Sequence, residues 1–208
     1  MPEPLPDLRA PSEVDIVSRK TVFRGYFRID EYVLRHGRFD GGMTTPMSRE
    51  LFERGHAAAL LPFDPLRDTF VLCQQFRIGA YAAGMDAWQL ECVAGIIEEG
   101  EQPDEVVRRE TVEEAGCTVL DLMPIQRYLV SPGGCSESVW LYLGRVSAEN
   151  AGGIFGLAEE HEHIRVFTAT SAQVRQMMDA GMIENAATLL CMQWFFLNRD
   201  RILAAWKA

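Results

Sequence analysis

The stretch that most constrains this chain runs from Gly95 to Cys117 and carries eight carboxylates: Glu98, Glu99, Glu101, Asp104, Glu105, Glu110, Glu113 and Glu114. Pro103 suits the first turn of a helix, Asp104 and Glu105 suit its positive end, and Gly116 is a natural stop. Between these signals Glu110, Glu113 and Glu114 stand at i, i+3 and i+4, so they share one helical face. Like charges at that spacing repel. A fold that keeps them together does so most simply around a hard cation, and oxygen donors favour Mg2+ or Mn2+. The bland alternative is a solvated acidic face, the usual fate of a charge run. Two features weigh against it. Val106, Val107 and Val112 ask for burial on part of the helix. The apolar run Leu90-Glu91-Cys92-Val93-Ala94 reads as a buried strand that enters the helix through a glycine loop.

Composition bounds the rest. The 208 residues are 48% hydrophobic and 24% charged, which suits one sizeable globular domain with a small appendage. A net charge of -10 argues against nucleic acid and against an anionic membrane surface as partners. It also means that a phosphate substrate would need cations and local arginines. No segment approaches the ~20 apolar residues of a membrane span. Residues 1–12, rich in proline, read as a flexible tail without a targeting signal. Cys73, Cys92, Cys117, Cys135 and Cys191 are odd in number and lack C-x-x-C spacing, so a reduced, cytoplasmic chain is expected and a zinc site is not.

Residues 13–54 alternate as strands at Val14 to Val22, Tyr26 to Leu34 and Met47 to Phe52, with Asp40-Gly41-Gly42 as a hairpin signal. This β region holds few large apolar residues, so it is expected to bury a face by pairing with a second subunit. In residues 55–208, strands are expected at His56 to Pro62, Thr69 to Phe76, Gln89 to Ala94, Val119 to Val130, Ser138 to Val146 and Arg165 to Ala169. Ser171 reads as the cap of a helix running to Asp179, and Asn185 to Trp206 as a long amphipathic helix. Mixed strands with helices on both sides predict an α/β/α sandwich, preceded by a small N-terminal antiparallel β region.

The spacing G-x5-E-x7-R-E-x-x-E-E-x-G, met by Gly95, Glu101, Arg109, Glu110, Glu113, Glu114 and Gly116, resembles the Nudix box. Thr111 and Cys117 stand where that pattern usually has aliphatic residues. The family hydrolyses nucleoside diphosphates linked to another moiety, and its fold is the α/β/α sandwich with a mixed sheet. Within the family the chain resembles the bacterial ADP-ribose pyrophosphatases, from about residue 16 to residue 206. The resemblance implies metal-dependent hydrolysis of ADP-ribose to AMP and ribose 5-phosphate by a homodimer. Another nucleoside diphosphate sugar, such as GDP-mannose, is the alternative substrate, and a non-catalytic ADP-ribose sensor a more distant one.

The resemblance also implies roles. Glu110, Glu114, Glu162 and the carbonyl of Ala94 would bind Mg2+ or Mn2+, with Arg109 and Glu113 in support. The cluster Glu159-Glu160-His161-Glu162-His163 would supply Glu160 as general base; by itself it reads as an exposed loop or as a two-histidine metal site. Pro132, sixteen residues beyond Gly116, with Ser131 and Gly133, fits the loop associated with ADP-ribose as substrate. Glu137 matches a substrate-contacting glutamate supplied across the dimer. Arg77 resembles the phosphate-binding arginine, and Arg54 has a similar position; a guanidinium offers phosphate a planar fork of donors, though a surface salt bridge is the commoner use of a lone arginine. Tyr26-Phe27 and Arg49-Glu50 provide an aromatic ring and a guanidinium able to sandwich adenine, unless the rings merely pack the hairpins. Ile96 completes the expected substrate contacts.

Overall fold

A computed structural model describes residues 3–206, with the side chain of Glu160 left out. The chain forms two compact units. The first comprises the residues up to Arg54 together with Val130–Glu137, and the second Gly55–Leu129 with Ser138 onward.

In the first unit, β1 (Val14–Arg24), β2 (Arg28–His36) and β3 (Met47–Glu53) form an antiparallel sheet in the order β1-β2-β3. Asp30, almost wholly buried on β2, accepts from Arg19 at 2.7 Å and Thr21 at 2.7 Å, and Arg28 lies 3.1 Å from it. A buried carboxylate with that many donors pins the register of β1 against β2. Edge strand β1 leaves Val14, Ile16, Val17, Val22 and Phe23 exposed. The segment Val130–Glu137 joins at Phe52, whose N–H donates to Gly134 at 2.8 Å and whose carbonyl accepts from Ser136 at 3.3 Å.

In the second unit, β4 (His56–Asp64), β5 (Thr69–Phe76), β8 (Asp121–Leu129), β9 (Ser138–Arg145), β10 (Gly153–Phe155) and β11 (Ile164–Thr170) run in the order β10-β11-β5-β4-β9-β8. Only β4 and β9 are parallel; every other pairing is antiparallel. The expected strand Gln89 to Ala94 is two strands. β6 (Trp88–Glu91) pairs with β5, and β7 (Val93–Ile97) pairs with β4. At the break the Cys92 N–H leaves the ladder and donates to the Thr188 hydroxyl at 2.9 Å. Gly95 therefore lies inside β7, opposite Ala58, and not in a loop.

Alternation along the central strands builds the layers. Ala59, Leu61 and Phe63 of β4, with Phe70 and Leu72 of β5, pack against α3 (Ser171–Asp179) and α4 (Ala186–Ala205). Ala58 and Leu60 turn to the opposite face, where Val106 and Val107 of α2 (Pro103–Ala115) cover them. The fold is thus the predicted mixed-sheet α/β/α sandwich. Phe63, Phe70 and Phe195 meet at centroid distances of 4.6 to 4.9 Å. Burying each ring is worth roughly 1.5–3 kcal/mol.

Three helical readings change. Thr170, not Ser171, caps α3: its hydroxyl accepts from Gln173 N–H, and the Gln173 side chain accepts from Thr170 N–H at 2.9 Å. α4 is apolar around most of its circumference and not amphipathic, with Leu197 left 86% exposed. A one-turn helix α1 (Ile78–Ala82) was not legible, since IGAYA is too short to carry a helical period. No helix among the described residues is long and apolar enough to cross a membrane.

Candidate active site

The acidic face is built by α2 against β7. Pro103 starts the helix, Glu105 accepts from the Gln102 N–H at 3.3 Å, and Gly116 ends it in the left-handed conformation at φ 62°. These signals fix the phase of α2, so Glu110 and Glu114 face the sheet while Glu113 stays part-exposed. Gly95 makes the approach possible. A Cβ on Gly95 would lie 2.1 Å from Glu110 Oε1, inside any allowed contact.

Glu114 is 2% exposed, and its Oε2 accepts from the Ala94 N–H at 3.0 Å. Burial pushes it up to about 8, opposed by that N–H and reinforced by the charges of Glu110 and Glu162. Glu110 is pushed up to about 7, again by burial first, with Arg109 opposing and Glu113 and Glu162 adding repulsion. Arg109 gathers the outer edge: it lies 2.8 Å from Glu110, 3.1 Å from Glu113 and 3.4 Å from Glu101.

Glu162 comes from the turn between the 3-10 turn Ala158–Glu160 and β11. Its Oε2 accepts from Leu157 N–H at 3.5 Å. His161 takes a left-handed φ of 56° to make that turn. The side chain of Glu160 lies outside the described residues. Arg77 completes the group at the N-terminus of α1, close enough for Glu91, Glu114 and Glu162 to stabilise its charge against the cost of burial.

Among the described residues no three carboxylate, histidine or cysteine side chains converge tightly enough to cage a cation. Each acid has another partner instead: Arg109 for Glu110, the Ala94 amide for Glu114 and the Leu157 amide for Glu162. The donor set nevertheless fits a hard divalent cation. Its donors are all oxygens, and burial, with mutual repulsion adding to it, raises two of its carboxylates to about 7 and about 8, so their ionisation near neutrality carries a cost that a cation offsets.

The anticipated site residues fall into two groups. Arg77, Ala94, Ile96, Arg109, Glu110, Glu113, Glu114, Glu160 and Glu162 belong to the second unit; Ile96 is exposed on β7. Tyr26, Phe27, Arg49, Glu50, Arg54, Ser131, Pro132, Gly133 and Glu137 belong to the first. There Tyr26 is 87% exposed and meets Phe27 edge-on at 4.8 Å, and the Arg54 guanidinium lies over Phe27 at 5.3 Å. Arg54 also pairs with the buried Glu137 at 3.4 Å. Arg49 and Glu50 are exposed on β3.

Sequence reasoning missed Glu91. It is 3% exposed, and its carboxylate accepts from Arg77 Nη2 at 2.7 Å, Asn185 Nδ2 at 2.9 Å and Gln75 Nε2 at 3.3 Å. The available signal was a carboxylate interrupting an otherwise apolar strand, a position that demands buried donors.

Known proteins resemble this chain along its whole length. The NUDIX domain family model matches residues 53–188. The ADP-ribose pyrophosphatase of Escherichia coli (strain K12) is 46% identical over 205 residues, covering 99% of this chain and 98% of the relative. The ADP-ribose pyrophosphatase of Haemophilus influenzae is 36% identical over 198 residues, covering 94% of this chain and 91% of the relative. Among solved structures, that of an ADP compounds hydrolase superposes with a TM-score of 0.70 over 96% of this chain and 100% of that one; at 18% identity, the likeness speaks for the fold alone.

Proposed function

The chain belongs to the NUDIX family, and from that premise we propose that it hydrolyses the diphosphate bond of ADP-ribose, giving AMP and ribose 5-phosphate. The observation that carries the reading is the grouping of Glu110, Glu114 and Glu162 beside Arg77 in one electrostatic neighbourhood. Identity of 46% to an ADP-ribose pyrophosphatase over nearly the full chain supports the choice of substrate.

Glu110, Glu114 and Glu162, with the carbonyl of Ala94, would hold the divalent cation, Mg2+ or Mn2+. When bound, such an ion neutralises diphosphate charge and lowers the pKa of a coordinated water. Arg77 presents guanidinium N–H groups to phosphate oxygens. Glu160 takes the proton of the attacking water as general base. Arg109, shared by Glu101, Glu110 and Glu113, holds the outer carboxylates in place. In the first unit, the exposed Tyr26 and Arg49 are the proposed adenine contacts. The exposed apolar side chains of β1 support a homodimer, and five cysteines, odd in number and without C-x-x-C spacing, support a reducing, cytoplasmic setting.

A hydrolysis screen of nucleotide sugars tests the reading. Purified protein is offered ADP-ribose, GDP-mannose and other nucleoside diphosphate sugars with Mg2+ or Mn2+ in 18O-labelled water, and products are read by mass. ADP-ribose should give the highest kcat/KM, with label in either AMP or ribose 5-phosphate according to the phosphorus attacked. Faster turnover of a GDP-hexose would replace the substrate, and no turnover of any would remove the enzyme.

A further inference from the structure

Arg77 is held by a group to which the chemistry above gives no part. Its Nε donates to both Glu91 oxygens, at 3.2 and 3.0 Å, and its Nη2 donates to Oε2 at 2.7 Å. Among the described residues Nη1 has no hydrogen-bond partner, and the Arg77 side chain is 44% exposed. The guanidinium is therefore gripped along one edge and open along the other. Glu91 is itself fixed: Asn185 Nδ2 holds Oε1 at 2.9 Å and Gln75 Nε2 holds Oε2 at 3.3 Å. Asn185 in turn is the cap of α4, its Oδ1 accepting from the N–H and the hydroxyl of Thr188, each at 3.0 Å. The same Thr188 hydroxyl accepts from the Cys92 N–H, next in sequence to Glu91.

We propose that Glu91 is a positioning residue: with Gln75 and Asn185 it sets the plane of the Arg77 guanidinium, so that the open edge is presented to the diphosphate of a nucleoside diphosphate sugar. This rests on the reading of Arg77 as a phosphate ligand. Stability alone is a poor account of the arrangement. A buried ion pair is often no better for stability than apolar residues of the same volume, whereas a carboxylate fixed by two other side chains, Gln75 and Asn185, restricts the orientation of its partner. Fixing a flexible arginine before substrate arrives removes an ordering cost from binding. The anchor of that orientation is the start of α4, a helix with no other part in the site.

Steady-state kinetics on ADP-ribose with Mg2+ test it, using wild type, Arg77→Ala, Glu91→Gln and the double variant. Glu91→Gln should raise KM about fivefold or more with a smaller change in kcat, and Arg77→Ala at least as much. The double variant should be no worse than Arg77→Ala alone, since a residue acting only through Arg77 has nothing left to act on. A wild-type KM in Glu91→Gln beside a raised KM in Arg77→Ala overturns the positioning role and leaves the phosphate role standing. Effects that multiply in the double variant overturn it as well. A wild-type KM in Arg77→Ala removes the phosphate role and the inference together. If Glu91→Gln does not fold, Asn185→Ser carries the test, because serine caps α4 about as well but lacks the amide that donates to Glu91. It should raise KM about threefold or more at near-wild-type Tm, and an unchanged KM overturns the proposal.

Discussion

Gly95 and Glu110 are in contact across the β7–α2 boundary, with no room between the glycine Cα and the carboxylate for a methyl group. The glycine that begins the acidic motif is thus required by space. Its place in β7 is ordinary strand, and what matters is that Glu110 occupies the volume a side chain would fill. Gly95→Ala should push the Glu110 carboxylate by more than an ångström while leaving the sheet paired. Displacements of that size at a reacting centre cost about a hundredfold in rate. The expected result is a comparable loss of kcat/KM with an unchanged far-UV spectrum and weaker Mg2+ binding. Full activity would show that Glu110 need not stay where it is.

The two raised carboxylates give a pH signature. Glu110 and Glu114 hold protons to about 7 and about 8, whereas in the unfolded chain they ionise near ~4.3. The native state therefore binds more protons between those values. Their contribution to metal-free stability is fully present below about pH 4 and is lost as pH rises through about 7 and about 8. A divalent cation requires both groups ionised, so its binding should release protons and tighten between about pH 6 and about pH 8.5. Thermal melts in EDTA and in Mg2+ should diverge as pH rises. Calorimetry in buffers of different ionisation enthalpy should report protons released, and a null there would remove these two groups as ligands.

Much of this site was legible because its information is local. Pro103, the i, i+3, i+4 carboxylates and Gly116 define α2 and its phase without reference to anything distant. The layers followed for the same reason, since Ala58 to Phe63 alternate between two faces. What was not legible depends on long-range partners. The break at Cys92 exists because Thr188, ninety-six residues later, takes its N–H. Glu91 passed unremarked within an apolar run because Arg77, Gln75 and Asn185, which hold it, lie apart from it in sequence. α4 deceived the periodicity reading because apolar residues occupy sides that its neighbours do not fully cover, Leu197 above all.

Asp64 should be the acid-sensitive joint of the second unit. It is 1% exposed at the end of β4 and accepts from Ala148 N–H at 2.9 Å, Leu66 N–H at 2.9 Å, Arg67 N–H at 3.2 Å and the Arg67 side chain at 3.1 Å. Burial pushes its carboxyl up, but these donors outweigh it and leave the group below its ordinary value. Its stabilisation is present above the unfolded value of about 3.9 and is lost as pH falls through the lower native one. Asp64→Asn should cost roughly 1–3 kcal/mol at pH 7 by urea titration. The gap from wild type should close below about pH 4, and a gap constant with pH would deny Asp64 this role.

The exposed face of β1 should be covered in solution. Val17 is 56% exposed and Phe23 60% exposed, on an edge strand with no neighbour on its outer side among the described residues. A homodimer that buries them should be seen by light scattering at micromolar concentration. Val17→Lys with Phe23→Lys should shift the mass toward the 23.4 kDa monomer. A wild-type protein that is already monomeric would leave the face to another role.

Glu160 and Glu114 should fail in different ways when their charge is removed without change of shape. Glu160→Gln keeps the carboxylates assigned to the cation, so Mg2+ affinity and KM should stay near wild type while kcat falls about 10²–10⁴-fold, the range of a lost general base. Glu114→Gln removes a buried oxygen donor and the charge that pairs with the cation. Its turnover should recover in part as Mg2+ is raised, because the defect lies in occupancy. The comparison is a matrix of kcat against Mg2+ concentration for the two variants. Recovery of Glu160→Gln at high Mg2+ would make it a ligand and not a base, and a Glu114→Gln defect insensitive to Mg2+ would place that carboxylate outside the metal set.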